Sequence, residues 1–251
     1  VDVDRVLGQL YAVFGMLLVF VFGALSTIPI LPFAVLPRGR RERYAIRGAQ
    51  WWAWMILRPL LMMRIDAVGT EHLPKRGGFL VISNHRSWID VPILMLYTRS
   101  EGISKKEVKY VPFFGLNGYL SGAIFFDRKK KMDRARVVNE ALLLLRGGAN
   151  LHVFPEGTRT RTGHLGTKVF LRLVQTCWEN DIDVVPACIW GTERAVPSGH
   201  VYARPLARAG IELRAPLDRS AFTDGDAYAK ASWQQVIEMA KVRGCDQPFA
   251  D

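Results

Sequence analysis

The 251-residue sequence predicts an α/β protein, a mixed central sheet flanked by helices, with an N-terminal membrane-associated helical segment. Three observations predict it. Residues 6–37 carry no charge and are mostly apolar. A cluster of arginines follows at once. From about Arg64 onward, short strand-like apolar runs alternate with helical patterns, as in a layered sheet. The expected division is residues 1–63 for the membrane-associated helices and 64–251 for the α/β domain.

Between Leu10 and Ile28 lie about 19 mostly apolar residues, roughly 28 Å as a helix and close to one hydrocarbon core. Pro29 and Pro32 end that helix. Arg38, Arg40, Arg41, Arg43 and Arg47 follow, a cluster of the kind held on the cytoplasmic side. A second apolar patch runs from Ala49 to Met63. Trp51, Trp52 and Trp54 fit a headgroup-level belt there, while Arg58-Pro59 argues against a clean span. The lengths suit either a helix across the bilayer or a re-entrant hairpin in one leaflet. A cleaved signal peptide fits poorly, because Asp2 and Asp4 crowd the start and no A-x-A site follows.

The remaining elements are read in order. Phe79–Ser83 is a buried strand and Val91–Tyr97 the helix after it. Ala123–Asp127 is strand-like. Asp133 caps a helix through Leu145 that ends at Gly147 and Gly148. Asn150–Phe154 is a strand, Lys168–Glu179 a helix, Asp183–Ile189 and Ile211–Ala215 strands, and Gly225–Arg243 a terminal helix.

Composition narrows the partners. A hydrophobic share of 49% and 7 Trp exceed what a core of this size needs, so apolar surface meets something other than water. Lys+Arg outnumber Asp+Glu by 34 to 23, a net +11 that suits polyanionic partners. Nucleic acid is suggested by that charge alone. No zinc spacing, helix-turn-helix pattern or aromatic RNA-binding signature accompanies it, so nucleic acid is not expected as a partner. Cys177, Cys188 and Cys245 are far apart with no CxxC spacing, which argues for a reducing compartment and against a disulfide framework or metal site.

Four segments carry chemistry. The first is Asn84-His85-Arg86-Ser87-Trp88-Ile89-Asp90. Five residues separate side chains by about 140° on a helix and put them on opposite faces of a strand. His85 and Asp90 therefore meet only where the chain turns between them, as a strand-to-helix connection allows. The carboxylate then accepts the Nδ1 proton, fixes the tautomer, aims Nε2 outward as a base and stabilises the imidazolium. Ser87-x-x-Asp90 is also a capping-box pattern, in which Asp90 only closes a helix N-terminus.

The second is Phe154-Pro155-Glu156-Gly157-Thr158-Arg159, placed after a strand. Gly157 permits a tight bend whose N–H groups can form an anion-binding nest. Thr158 adds a hydroxyl donor, Arg159 a planar fork for two phosphate oxygens, and Glu156 can orient an acceptor hydroxyl. An ordinary surface turn with a solvated arginine is the alternative. The third is Gly122–Arg128, a strand ending in a charged pair, where Arg128 can grip phosphate. Lys129, Lys130 and Lys131, like Lys105, Lys106 and Lys109, read as a phosphate grip or a solvated basic face. The fourth is Val184-Val185-Pro186, where a proline in an apolar run predicts an edge strand or a bulge.

Together these segments resemble the 1-acylglycerol-3-phosphate acyltransferase family, within the wider glycerolipid acyltransferase superfamily. Asn84-His85…Asp90 is similar to its N-H-x4-D motif, Gly122–Arg128 to its second, Phe154–Arg159 to its F-P-E-G-T-R, and Val185-Pro186 stands where the fourth is expected. The resemblance covers about residues 64–215. It implies that His85 is the base and Asp90 its orienting partner. It implies that Arg128, Glu156, Gly157 and Arg159 bind the acceptor, with Thr158 among them, and that Lys105 lies near the phosphate. One departure is that Gly166-Thr167-Lys168-Val169-Phe170 keeps only the lysine of a family Phe-Lys-x-Gly, which bears on headgroup preference.

The reaction so implied joins a fatty acyl group from acyl-CoA or acyl-carrier protein to a lysophospholipid acceptor, with lysophosphatidate giving phosphatidate. It needs no metal and no cofactor beyond the acyl donor. It takes place at the membrane lipid bilayer, with the site on the cytoplasmic side of the inner membrane. A thiolate leaves readily, so direct transfer is expected with no acylated protein. Rival readings are an acceptor that is another lysophospholipid or a lyso-aminolipid, a thioesterase using the same pair on water, and a non-catalytic membrane lipid-binding protein.

Overall fold

The computed structural model describes residues 3–37, 40–127, 131–198 and 203–249. Helix α1 runs Val3–Thr27. It ends where Pro29 withdraws an N–H, and the Ser26 and Thr27 hydroxyls donate back to the Gly23 carbonyl at 2.9 and 2.7 Å. A 3₁₀ segment, Ile28–Val35, carries the chain onward. Val6–Val35 is apolar and long enough to cross a membrane, and most of it is not buried inside the protein. Helix α2 (Arg40–Met55) loosens into a single π-turn, Ile56–Leu60, around Pro59. Arg58 anchors that turn by donating to the Met63 carbonyl and the Tyr97 hydroxyl at 3.2 and 3.3 Å. The second apolar stretch is thus broken at Arg58-Pro59.

The strands among the described residues are β1 (Arg64–Val68), β2 (Leu80–Ser83), β3 (Ser100–Lys105), β4 (Ile124–Phe126), β5 (Asn150–Val153), β6 (Val184–Trp190) and β7 (Arg208–Leu213). They form one mixed sheet in the order β1-β7-β6-β2-β5-β3-β4. β6, β2, β5, β3 and β4 run parallel, while β7 is antiparallel to β6 and carries β1 parallel to itself. The helices are α3 (Asp90–Thr98), α4 (Phe114–Ser121), α5 (Lys131–Arg146), α6 (Arg172–Glu179), α7 (Thr192–Ala195) and α8 (Gly225–Val242). Asp224 caps α8 by accepting the Ala227 N–H at 2.8 Å.

Side-chain alternation divides the core. Leu80 and Ile82 of β2 pack with Leu145 of α5, Val174 of α6 and Val236 of α8 on one face. Val81 packs on the other face with Ile93 of α3, Trp52 of α2 and Val19 of α1. Each such buried side chain contributes about 1.5–3 kcal/mol. A run buried on both faces is why β2 reads as continuously apolar.

Several elements depart from the sequence reading. α5 is already helical at Lys131, so Asp133 lies in its first turn and is not the cap. α6 begins at Arg172, not Lys168, because the Phe170 N–H is drawn to the Pro155 carbonyl at 2.9 Å. β6 is neither an edge strand nor bulged at Pro186. It pairs with β2 through Pro186 and with β7 only from Ala187. The Pro186 carbonyl accepts from Arg214 on the β7 side, so its missing donor also faces that side, where the ladder has not begun. β1, β3 and α4 carry no apolar run long enough to declare them. Cys188 and Cys245, 57 residues apart, bring their Sγ atoms to 3.3 Å, and both remain free thiols.

Gly210 pairs with Trp190, whose indole would lie 2.0 Å from an added Cβ. Gly210→Ala should therefore overpack this strand pair and cost about 1–3 kcal/mol, lowering the melting temperature by several degrees (about 2–4 °C per kcal/mol) in a thermal scan.

Candidate active site

Three of the four chemical segments come together with Lys105 because four parallel strands end at one edge. β2 leads into the His85 loop and β5 into Phe154–Arg159. β3 ends at Lys105, and β4 leads into Asp127. With strands about 4.8 Å apart, the fan from β2 to β4 spans roughly 14 Å. Open parallel sheets bind ligands at this carboxyl edge.

Within the first segment the chain turns as the chemistry requires. His85 Nδ1 lies 2.9 Å from Asp90 Oδ2. The same oxygen accepts the N–H groups of Arg86 and Ser87 at 2.6 and 2.8 Å, and Oδ1 accepts the Thr192 hydroxyl at 2.5 Å. One buried carboxylate therefore holds both the imidazole and the backbone of the turn ahead of α3, and it caps no N–H group of that helix. The imidazole carries its proton on Nδ1 and presents Nε2 as an acceptor. Its ring stacks on Phe154, with centroids 3.8 Å apart and planes at 9°, and it is 15% exposed.

Neighbouring side chains clamp this loop. Asn84 donates to the Ile189 carbonyl and accepts the Ile189 N–H, both at 2.8 Å, imitating a strand partner for β6. The Ser87 hydroxyl donates to the Val196 carbonyl at 2.7 Å. Arg86 is 4% exposed. It donates to Glu193 and to the Gly163 and Cys245 carbonyls, and its guanidinium lies over the Phe249 ring. Arg86 thereby ties the chain after α8 to the loop after Phe154–Arg159.

The second segment arrives differently from its sequence reading. Glu156 Oε1 accepts the His85 N–H at 2.9 Å and Oε2 accepts the Gly166 N–H at 2.7 Å. Both oxygens face backbone donors, so its carboxylate braces the His85 loop. Burial pushes its pKa up, while the two N–H groups and His85 pull it down. Gly166 fits there because an added Cβ would stand 3.0 Å from Oε2. Gly157 takes φ +67° in the turn closed by its N–H on the Phe154 carbonyl. Thr158 is exposed and Arg159 half-buried, and Arg159 forms no ion pair among the described residues. Lys105 is exposed at the tip of β3, also without an ion pair among those residues. Lys106 holds Asp127 at 2.7 Å. Arg128, with Lys129 and Lys130, lies outside the described residues.

Beneath the site lies His152 on β5, wholly buried. The Thr98 hydroxyl donates to the Leu94 carbonyl, Ser100 Oγ lies 2.6 Å from Thr98 Oγ1, and His152 Nδ1 lies 2.9 Å from Ser100 Oγ. That chain is consistent only with Nδ1–H on His152, and its Nε2 has no partner. Burial lowers its pKa to about 3, with His85 acting in the same direction and Ser100 against it.

Sequence reasoning placed His85, Asp90 and Phe154–Arg159 at one site but missed Thr192, the Asn84 clamp and Arg86. Thr192 is 102 residues from Asp90 with no local signal, and nothing in a sequence marks an arginine as buried. Among the described residues, no group of His, Cys, Asp and Glu is placed to hold a metal ion.

An apolar slot of about 200 Å³ begins beside the first segment, at Trp88 and Val91, and runs between Trp52, Phe113, Phe114 and Phe125. A larger cavity of about 800 Å³ includes Phe79 and Asn150 at the opposite, amino edge of β2 and β5 and touches none of the motif residues. The slot is the one that matters to this chemistry, because it adjoins the His85 loop.

The acyltransferase family model matches residues 64–190. The 1-acyl-sn-glycerol-3-phosphate acyltransferase alpha of Mus musculus is 36% identical over 131 residues, 48% of this chain and 46% of its own. The 1-acyl-sn-glycerol-3-phosphate acyltransferase of Saccharomyces cerevisiae is 31% identical over 156 residues, 59% and 51% of the two chains. The chain spans about half the length of the curated relatives it matches. The crystal structure of the 1-acyl-sn-glycerophosphate (LPA) acyltransferase PlsC from Thermotoga maritima shares the fold, with a TM-score of 0.79 at 22% identity over 100% of this chain and 99% of that one.

Two outcomes follow from this geometry. Thr192→Val should leave Asp90 Oδ1 buried without its donor and lower stability by about 1–3 kcal/mol in urea titration, with Thr192→Ser restoring it. His152 is neutral when folded and protonates below its ordinary 6.5 when unfolded. Stability should therefore fall as pH drops from about 6.5 toward about 3, and His152→Gln should flatten that slope.

Proposed function

The chain belongs to the acyltransferase family, and on that premise we propose that it transfers a fatty acyl group from acyl-CoA or acyl-carrier protein to lysophosphatidate, giving phosphatidate. The observation that carries the reading is the 2.9 Å His85–Asp90 contact at the edge where Arg159 and Lys105 stand unpaired among the described residues. His85 Nε2 takes the proton of the acceptor hydroxyl as its oxygen attacks the thioester carbonyl. Collapse of the tetrahedral intermediate breaks the C–S bond and releases the thiolate, with no acylated protein. Asp90 stabilises the imidazolium formed on the way.

Arg159 and Lys105 grip the acceptor phosphate, Arg159 by its fork and Lys105 as a point charge, with Arg128 completing the cationic set. Thr158 and the Gly157 turn add donors. Glu156 serves by holding His85 in place. The slot takes an acyl chain, since even a ~150 Å³ apolar cavity admits benzene. Leu10, Val13, Phe14 and Leu17 of α1 leave more than half of each side chain exposed, a face suited to hydrocarbon. On this reading the helix docks the enzyme on the inner membrane with its site on the cytoplasmic side, where both substrates partition.

The test is a mass-spectrometric assay of the purified full chain against lysolipids with each donor type. Lysophosphatidate should be acylated, and His85→Ala should lower kcat/KM by about 10²–10⁴. Arg159→Ala should mainly raise the KM for the acceptor. Thioester consumption that ignores every acceptor would instead identify a hydrolase, and full activity of His85→Ala would remove the mechanism.

A further inference from the structure

Residues 154–171 cross from β5 to α6 without helix or strand, and they carry Glu156, Thr158 and Arg159. Connections longer than about 12–15 residues with no element of their own are uncommon and usually functional. This one has to be pinned to present Arg159 in one place. Glu156 accepts the His85 and Gly166 N–H groups, and the Phe170 N–H donates to the Pro155 carbonyl. Just after Arg159, the Thr160 N–H donates to the His85 carbonyl at 2.9 Å, and Thr160 Oγ1 accepts the Gly163 N–H at 3.0 Å. The other side of that turn rests on the chain beyond α8.

Residues 245–249 run across it as a strap. The Cys245 N–H donates to the Ala240 carbonyl at 2.8 Å, and the Cys245 thiol touches Cys188 of β6, which fixes the root. Further on, the Asp246 carbonyl accepts from His164 Nδ1 at 2.9 Å, and the Phe249 N–H donates to the Thr162 carbonyl at 3.1 Å. Gly163 lies so close under the strap that an added Cβ would stand 2.2 Å from the Gln247 carbonyl oxygen. Arg86 is held between the two layers. Its Nη1 donates to the Gly163 carbonyl of the loop and the Cys245 carbonyl of the strap, and its guanidinium lies 4.9 Å from the Phe249 ring centre. Such a contact is strongest away from water, and Arg86 is buried. We propose that Phe249 is a positioning residue for the acceptor: by holding Arg86 and the Thr160–Gly163 turn, the strap keeps Arg159 where it grips the phosphate. This rests on the acyltransferase reading and deepens it, with an element outside the four motifs and outside residues 64–190.

Steady-state kinetics of the purified full chain with lysophosphatidate and acyl-CoA test this. Phe249→Leu keeps the apolar bulk and removes the ring face. It should raise the KM for lysophosphatidate roughly 3- to 30-fold, while kcat and the KM for acyl-CoA stay within about twofold. Phe249→Tyr keeps the face and should match wild type. A packing role alone would lower the amount of folded enzyme, and with it the apparent kcat, and leave that KM unmoved. In an Arg159→Ala background, Phe249→Leu should change the acceptor KM by less than about twofold, because the group it positions is gone.

An acceptor KM unchanged in Phe249→Leu overturns the inference. So does a tyrosine variant that behaves like the leucine one, or an effect that multiplies in full with Arg159→Ala. If lysophosphatidate is acylated with His85 and Arg159 dependence while Phe249→Leu matches wild type, the acyltransferase reading stands and only this inference fails. If no lysolipid is acylated, both fail together.

Discussion

The buried carboxylate of Asp90 is the interaction on which the site depends. One oxygen collects the imidazole proton of His85 and two backbone N–H groups, and the other takes the Thr192 hydroxyl. Hydrogen bonds to a charged group contribute about 1.5–3 kcal/mol each, so the group is strongly held despite its burial. The same contacts force the chain from strand into helix, point the imidazole outward and attach the loop to α7. Geometry and chemistry are set by one side chain.

Around that point the fold works by alignment. Parallel β2, β5, β3 and β4 deliver their loops to one edge, so residues as far apart as 85, 105, 127 and 156 converge without any one segment being unusual. Asn84, Ser87 and Arg86 then fasten the His85 loop to β6, to the segment after α7 and to the chain beyond α8. Glu156 joins the two motif loops through their backbones. Precision here comes from buried polar groups that are each paired, which favours a single arrangement.

The apolar N-terminal helices are part of the same construction. α3 begins with Asp90, and its Ile93 packs in one cluster with Trp52 of α2 and Val19 of α1. Helices whose outer faces suit hydrocarbon are thus in contact with the helix that carries the orienting carboxylate. The apolar slot lies between these layers, with Gly23 and Trp52 on one side and Gly102 on the other.

Read alone, the sequence determined the layered α/β class, the existence of the strands β2, β5 and β6, the break at Arg58-Pro59 and His85 with Asp90 as a candidate pair, because apolar periodicity and short-range spacing are local properties of a chain. It was silent on β1, β3 and α4, whose side chains draw their burial from neighbours. It misjudged Asp133, Lys168 and Pro186, where a helix start or a missing donor was settled by a distant carbonyl or by where a ladder begins. Only the tertiary structure decided that Thr192 completes the Asp90 site, that Glu156 braces backbone, that Arg86 is an internal clamp and that two distant cysteines touch. The physical reason is that hydrogen bonds and burial act over a few ångströms in space, and separation along the chain does not report that distance.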